Sequence, residues 1–190
     1  MKRHYKVLLF LLFFILVALS VYFYREYQFS EREKMYDHII LQAAERHDVP
    51  PALVKAVIRR ESKFEESVRG GHGEYGLMQI TPAAADDWIK FERNKKFDNY
   101  SQLFTPELNI EIGTWYLARG LKKYKDYKHK KVLALARYNA GPGNVIKNKW
   151  VPGHKDGEVL KLISFPSTKK YVEIILEFEK DYQQEGFNNE

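Results

Sequence analysis

One carboxylate in this sequence lies where a proton-transferring side chain is expected, at the end of an apolar helix. In the segment PALVKAVIRRES, Glu61 follows Ile58 by three residues, Val57 by four and Val54 by seven, so it extends their apolar stripe. Burial and the negative end of the helix dipole both disfavour its anion and raise its pKa. Glu61 is therefore a candidate general acid. The alternative is a glutamate that ends the core face and reaches solvent or an arginine.

A glycine-rich loop follows this helix almost directly. The segment GGHGEYG has four glycines in seven residues, which permit positive φ angles and a close approach of the backbone to a ligand. It leads into LMQITP, where Gln79 offers an amide donor and acceptor. The phosphate-loop pattern G-x-x-x-x-G-K-[ST] is missing from this segment, so a phosphate site is not indicated. A flexible surface connection is the alternative.

Helical periodicity dominates the chain after residue 35 and predicts the scaffold for these residues. It indicates an all-α domain of about seven short helices, the later ones at 106–123, 131–138 and 168–182. No alternating segment is long enough to predict a strand. The stretch 139–157, rich in Gly, Asn and Lys, is expected to be a connection.

Helix starts are marked by polar residues that precede prolines. Thr81 and Thr105 each stand directly before a proline, the pattern of an N-cap followed by the first helical position. Asp48 precedes two prolines, and we expect it to cap the helix that carries Glu61.

The N-terminal segment differs in kind from the rest of the chain. Lys2, Arg3 and Lys6 precede an uncharged run of 18 residues from Val7 to Tyr24. At ~1.5 Å per residue this run spans ~27 Å, enough to cross a bilayer. It predicts a single-pass anchor in the cell membrane, with a cytoplasmic N-terminus and the remaining chain exported.

A cleaved signal peptide is the alternative for this segment, with Ala18 and Ser20 as the small residues before a cut. The bulky VYFY that follows favours retention. The expected organisation is a flank and anchor at 1–24, a charged spacer at 25–35, one catalytic domain at 36–183 and a tail at 184–190.

Charge and residue usage exclude several classes of function. The net charge is +6, and residues 1–30 carry half of it. The sequence has no cysteine, and its six histidines form no close ligand pair, so we predict neither a metal site nor a cofactor. The basic run LKKYKDYKHKK at 121–131 could meet an anionic polymer or lipid headgroups, but a solvated helix end is favoured. No motif points to nucleic acid.

Five segments in order carry a resemblance to a known family. They are ESKF after residue 60, G-x-x-GLMQITP ending at residue 82, NIEIGTWYL at 109–117, ARYNAGPGNV at 136–145 and P-x-T-x-x-Y at 166–171. Over residues 36–183 the chain resembles the catalytic domain of the soluble lytic transglycosylases, which is lysozyme-like and related to goose-type lysozyme. The resemblance implies a mainly helical fold and the glycan strand of peptidoglycan as substrate.

The resemblance also assigns the site. It implies that Glu61 is the single catalytic acid and base. The residues it assigns to glycan binding or to support of the acid are Gln79, Met78, Tyr116, Tyr138, Asn139, Ala140 and Tyr171. Two departures concern supporting groups: Gly70 stands where many members have serine, and STKKY replaces E-T-R-x-Y, with Ser167 for glutamate and Lys169 for arginine.

The reaction implied is cleavage between N-acetylmuramic acid and N-acetylglucosamine with formation of a 1,6-anhydro ring. A hydrolysing muramidase is one alternative, for which Asp86 or Asp87 would be the second carboxylate. Glu74 is not expected to serve, since burial amid glycines is not anticipated. An inactive glycan-binding module is the other alternative. A protein partner in the envelope is left unassigned.

Overall fold

The chain forms two units. The computed structural model describes residues 2–92 and 96–188. Helix α1 (Lys2–Met35) is one unit, and the chain from Tyr36 onward is the other. Within the described residues, extended structure is limited to two isolated bridges that Tyr75 makes with Arg69 and Ile80. The predicted all-α class is confirmed.

Helix α1 is 34 residues long and continuous. It contains the apolar run, and residues 25–35 form its C-terminal part. Its apolar side chains are exposed, Phe10 for example at 62%. In the described chain it is the one helix long and apolar enough to cross a membrane, a test that a signal sequence near an N-terminus also passes.

The second unit consists of short helices around one apolar core. Helix α3 packs against α8, and α5 packs against both α2 and α6. The helices of this unit are α2 (Asp37–His47), α3 (Pro51–Ser62), α4 (Pro82–Phe91), a 3-10 helix (Tyr100–Phe104), α5 (Pro106–Lys123), α6 (Lys130–Ala140), α7 (Pro142–Lys147) and α8 (Pro166–Gln184).

Helix α3 lies in the core and positions the candidate acid. Leu53, Val54, Val57 and Ile58 have no exposed surface. Burial of each such side chain stabilises the fold by about 1.5–3 kcal/mol, so the register of α3 is firmly set. The same register places Glu61 in its last turn, on the buried face as predicted.

The helix starts were predicted with mixed success. Thr81 is an N-cap, because its Oγ1 accepts a hydrogen bond of 3.2 Å from the N–H of Ala84. Thr105 occupies the corresponding position of α5 without such a bond. The prediction for Asp48 is wrong: with φ at 53° it ends α2, and its N–H donates to carbonyls of the last turn of that helix. A residue in this left-handed conformation is a helix stop.

The stretch 139–157 is more ordered than a connection. It contains helix α7, which begins at Pro142 in the first helical turn, where a missing N–H costs nothing. Val145 and Trp150 have no exposed surface, and the indole N–H of Trp150 donates to Ser164 Oγ at 3.1 Å. Burial of Val145 and Trp150 therefore orders a segment whose composition indicates a loop.

Candidate active site

The carboxyl of Glu61 meets the hydroxyl of Tyr171 where α3 and α8 pack together. Tyr171 lies in the second turn of α8 and is 2% exposed. Its hydroxyl donates a hydrogen bond of 2.6 Å to Glu61 Oε1. The guanidinium of Arg60 lies 5.5 Å from the centre of the Tyr171 ring. Two residues assigned by the resemblance thus touch, although 110 positions separate them.

The environment of Glu61 raises the pKa of its carboxyl toward neutral pH. Burial raises the pKa of Glu61 from 4.5 to about 7, against the opposing effects of the Tyr171 hydrogen bond and the Arg60 charge. The Glu74 carboxylate adds to the increase by like-charge repulsion. A carboxyl with a pKa near 7 can both give and take a proton at physiological pH.

The loop after α3 is tightly folded around its glycines. Gly76 has a φ of 72°, and a Cβ at this position would lie 2.7 Å from the carbonyl oxygen of Leu103. Gln79 has a φ of 50°, which is uncommon for a residue with a side chain. Its amide nitrogen donates to the carbonyls of Val68 at 3.1 Å and Gly76 at 2.8 Å. Its Oε1 is the amide atom that a ligand could use.

Asn109 of α5 fixes this loop from inside the core. It has no exposed surface, and its Oδ1 accepts the N–H of Met78 at 2.7 Å. Its Nδ2 donates to the carbonyl oxygens of Tyr75 at 2.7 Å and Leu103 at 2.6 Å. The motif NIEIG contains this residue, but nothing in the motif indicates its role.

Two tyrosines form a wall beside the loop. The Tyr138 hydroxyl donates to the carbonyl oxygen of Met78 at 2.9 Å. Its ring meets that of Tyr116 edge to face, with the ring centres 5.7 Å apart. Met78 itself has no exposed surface, so its side chain packs in the core. Its contact with the two tyrosines is made by its backbone carbonyl.

The end of α6 meets the start of α8. Asn139 is exposed, and its Oδ1 accepts a hydrogen bond of 2.8 Å from the hydroxyl of Thr168. Ala140 is the last residue of α6, and its carbonyl accepts from Asn144 Nδ2 at 2.8 Å. Thr168 is 2% exposed and was not assigned from the sequence, although the P-x-T-x-x-Y segment contains it. Ser167, one of the departures, lies exposed beside it.

The carboxylate whose charge acts on Glu61 is Glu74, rather than Asp86 or Asp87. Asp86 accepts a hydrogen bond of 2.9 Å from the Tyr100 hydroxyl. Asp87 is 52% exposed, and its Oδ1 is 3.9 Å from Lys90 Nζ. Glu74, in contrast, has a side chain only 22% exposed. Glu74 is therefore partly covered rather than buried, because the loop folds back on itself.

One cleft among the described residues does not have Glu61 in its lining. It measures about 840 Å³, and part of the basic run 121–131 lines it together with Trp115 and Arg119. No group of three or more His, Asp or Glu with a metal-binding arrangement occurs in the described part of the chain. The site at Glu61 is therefore defined by its chemistry rather than by the size of a cavity.

Relatives with known names share this domain. Over 153 residues the chain is 30% identical to the soluble lytic murein transglycosylase of Escherichia coli. The aligned region covers 78% of this chain and 23% of that protein. It is 29% identical over 123 residues to the membrane-bound lytic murein transglycosylase C of Yersinia enterocolitica, with 62% and 34% covered. The chain thus spans less than half the length of either relative.

The fold has a solved counterpart. The structure of the lytic transglycosylase Slt of Pseudomonas aeruginosa, an inactive mutant with glutamine in place of a glutamate, matches with a TM-score of 0.70 and 27% identity. The match covers 80% of this chain and 24% of that one.

Fold and site define a helical, lysozyme-like domain with a carboxyl of raised pKa at the end of a buried helix. Residues 38–160 match the Transglycosylase SLT domain family, and the chain belongs to this family. The resemblance seen in the sequence is confirmed.

Proposed function

We propose that the chain is a peptidoglycan lytic transglycosylase that cuts the β-1,4 bond between N-acetylmuramic acid and N-acetylglucosamine. The observation that carries the proposal is the partly buried carboxyl of Glu61, which accepts a hydrogen bond from Tyr171 and has a pKa of about 7. Relatives of the domain are named as lytic murein transglycosylases, which supports the same reaction.

In this reaction Glu61 acts first as acid and then as base. Its carboxyl protonates the glycosidic oxygen, so the bond from that oxygen to the muramoyl C1 breaks with the electron pair leaving on oxygen. The resulting carboxylate then takes the proton of the muramoyl 6-hydroxyl, whose oxygen bonds to C1 and closes the 1,6-anhydro ring. Because this nucleophile is part of the substrate, its effective concentration is high and no water is consumed.

The remaining assigned residues would hold the glycan and the acid. Tyr171 orients the Glu61 carboxyl. For the glycan, Gln79 offers its amide oxygen, and Tyr116 and Tyr138 offer aromatic surface suited to a sugar ring. Asn139 and the backbone at Ala140 lie at the C-terminal end of α6, where their polar groups can bind an acetamido group.

The products of peptidoglycan digestion test this proposal. Full-length protein in detergent is incubated with purified peptidoglycan, and the released muropeptides are identified by mass spectrometry. Products one water lighter than hydrolytic ones establish the transglycosylase. Reducing-end products would identify a hydrolysing muramidase instead. Glycan binding without release would identify a binding module.

The pH dependence should report the protonation of Glu61. Because the acid form is needed for the first step, kcat/KM is expected to fall as pH rises through about 7. Replacing Tyr171 by phenylalanine removes a hydrogen bond that lowers the pKa of Glu61, so the alkaline limb should move to higher pH. We also expect kcat to fall roughly tenfold, the typical effect of losing a charge-assisted hydrogen bond.

Rate profiles of the wild type and of Tyr171→Phe between pH 5 and 9 check this expectation. Tyr124→Phe is the matched control, since it removes a buried hydroxyl for which the described residues offer no partner. A limb that moves to lower pH in Tyr171→Phe would contradict the assigned role of the hydrogen bond.

We further propose that α1 anchors the protein in the cell membrane with its N-terminus in the cytoplasm. Its apolar length and basic flank support this, as do relatives named as membrane-bound.

The chain lacks cysteine, so Lys6→Cys and Glu185→Cys each create a single labelling site. An impermeant maleimide applied to intact spheroplasts should label only Glu185→Cys, and the unchanged protein is the blank. A mature protein shortened at its N-terminus would reveal a cleaved signal instead.

A further inference from the structure

The Glu74 carboxylate fills the space that a side chain at position 70 would need. A Cβ built on Gly70 would clash with Glu74 Oε2 and lie 2.6 Å from Gln79 Oε1. These distances are shorter than any van der Waals contact. The absence of a side chain at position 70 therefore leaves room for the Glu74 carboxylate in this chain.

The loop holds this carboxylate in place. The backbone N–H of Gly70 donates to the Glu74 carbonyl at 2.9 Å, and the N–H of Gly73 donates to the Gly70 carbonyl at 3.2 Å. The N–H of His72 donates directly to Glu74 Oε2 at 3.0 Å. The His72 ring, 94% exposed, has its Nδ1 3.6 Å from Glu74 Oε1. The side chain is thus oriented before any ligand binds.

Glu74 and Gln79 present two acceptors side by side. The amide nitrogen of Gln79 is used by two backbone carbonyls, and its Oε1 lies next to Gly70, as does the Glu74 carboxylate. A carboxylate and an amide oxygen accept hydrogen bonds and donate none. A ligand that fits both must supply O–H or N–H donors, which the hydroxyl and acetamido groups of a sugar do.

The same carboxylate acts on the acid. Its charge raises the pKa of Glu61, which places it within electrostatic reach of the reacting group. The other groups that face Glu61 are the hydroxyls of Tyr171 from α8 and Tyr138 from α6, and Arg60 from its own helix.

We propose that Glu74 is a second substrate-contacting carboxylate of this site, which accepts a hydrogen bond from a hydroxyl or amide N–H of the glycan beside the bond that is cut. The inference rests on the proposed function, since it takes the glycan as the ligand. Glu74 exchanges no proton in this role; it fixes the sugar next to Glu61.

Glycan binding tests the inference separately from catalysis. In the Glu61→Gln background, the affinity for a hexamer of N-acetylglucosamine is measured by calorimetry, with and without Glu74→Gln. The added substitution keeps the size of the side chain and an oxygen acceptor for His72. We expect affinity to fall roughly tenfold, because a hydrogen bond to a charged acceptor is lost. Asp87→Asn, which neutralises an exposed carboxylate, should leave affinity unchanged.

Activity provides the second readout. Glu74→Gln in the otherwise unchanged protein should lower kcat/KM about tenfold. It should also move the alkaline limb to lower pH, since a charge that raises the pKa of Glu61 is removed. Circular dichroism verifies that the variant is folded. Unchanged binding and an unchanged profile would overturn the inference. Reducing-end products that vanish with Glu74→Gln would also overturn it, by making Glu74 a base for water.

A steric exchange completes the test. Gly70→Ser alone should reduce glycan binding, because its Cβ meets the Glu74 carboxylate, and adding Glu74→Ala should restore part of the loss. Independent, additive effects would show that the two positions do not share the space. If the unchanged protein releases no anhydro products while Glu74→Gln weakens binding, the proposed function fails and the inference stands.

Discussion

Replacing Glu61 by glutamine is expected to abolish the release of anhydro-muropeptides while the domain stays folded. Glutamine has nearly the same shape and can accept the hydrogen bond from Tyr171, but it cannot give or take the proton. General acid and base catalysis contributes between about a hundredfold and ten-thousandfold to a rate, and here one residue performs both roles. The expected loss is at the upper end of this range.

The same substitution should change how stability depends on pH. The folded-state pKa of Glu61 is raised from 4.5 to about 7, so its contribution to stability is complete below about 4.5 and is lost as pH rises through about 7. A shift of this size corresponds to about 3 kcal/mol. Between about pH 4.5 and 7 the wild type should therefore lose free energy of unfolding that Glu61→Gln retains.

Muropeptide mass spectrometry and urea unfolding at pH 5 and pH 8 measure the two effects. Glu65→Gln, a change to an exposed carboxylate shortly after the end of α3, serves as the matched control. Wild-type rates in Glu61→Gln would remove Glu61 from the mechanism. Equal pH dependence of unfolding in both proteins would mean that the carboxyl is solvated in the folded state.

Replacing Asn109 by alanine is expected to give the largest loss of stability among single changes near the site. Three backbone groups, at Met78, Tyr75 and Leu103, lose their partner at a position with no exposed surface. Each unsatisfied buried group costs about 1–3 kcal/mol, so we expect a total of roughly 3–5 kcal/mol. The melting temperature should fall by about 10 °C.

Thermal unfolding followed by circular dichroism measures this loss. Asn148→Ala is the control, because that amide donates a single hydrogen bond of 2.8 Å, to the carbonyl of Asn144, and is partly exposed. The control should lose less than about 1 kcal/mol. A similar effect of both substitutions would show that the loop is not held by Asn109.

The helices were predictable because their signals are local. Apolar spacing in α3 places Glu61 on the buried face, and Thr81 caps α4 as its position before a proline indicates. Asp48 was misassigned because a polar residue before a proline fits either the end of one helix or the start of the next. Its left-handed φ, which the sequence does not specify, decides for the end of α2.

The contacts that complete the site were not predictable, since they join segments far apart in the chain. Nothing near Asn109 indicates that its amide meets residues 31 and 34 positions away. The glycines around Glu74 indicate an exposed side chain. In the structure the same glycines allow the loop to fold so that the Glu74 carboxylate lies next to Gly70. Composition reports the flexibility of such a loop, and only tertiary packing selects its conformation.

The hydrogen bond between Glu61 and Tyr171 also determines the stage of chain synthesis at which the site is complete. Its acceptor is in α3 and its donor is in α8, the last helix of the described chain. During synthesis Glu61 is therefore made long before the residue that orients its carboxyl. A chain truncated before α8 lacks Tyr171, so the pairing of acid and tyrosine forms only when α8 has docked on α3.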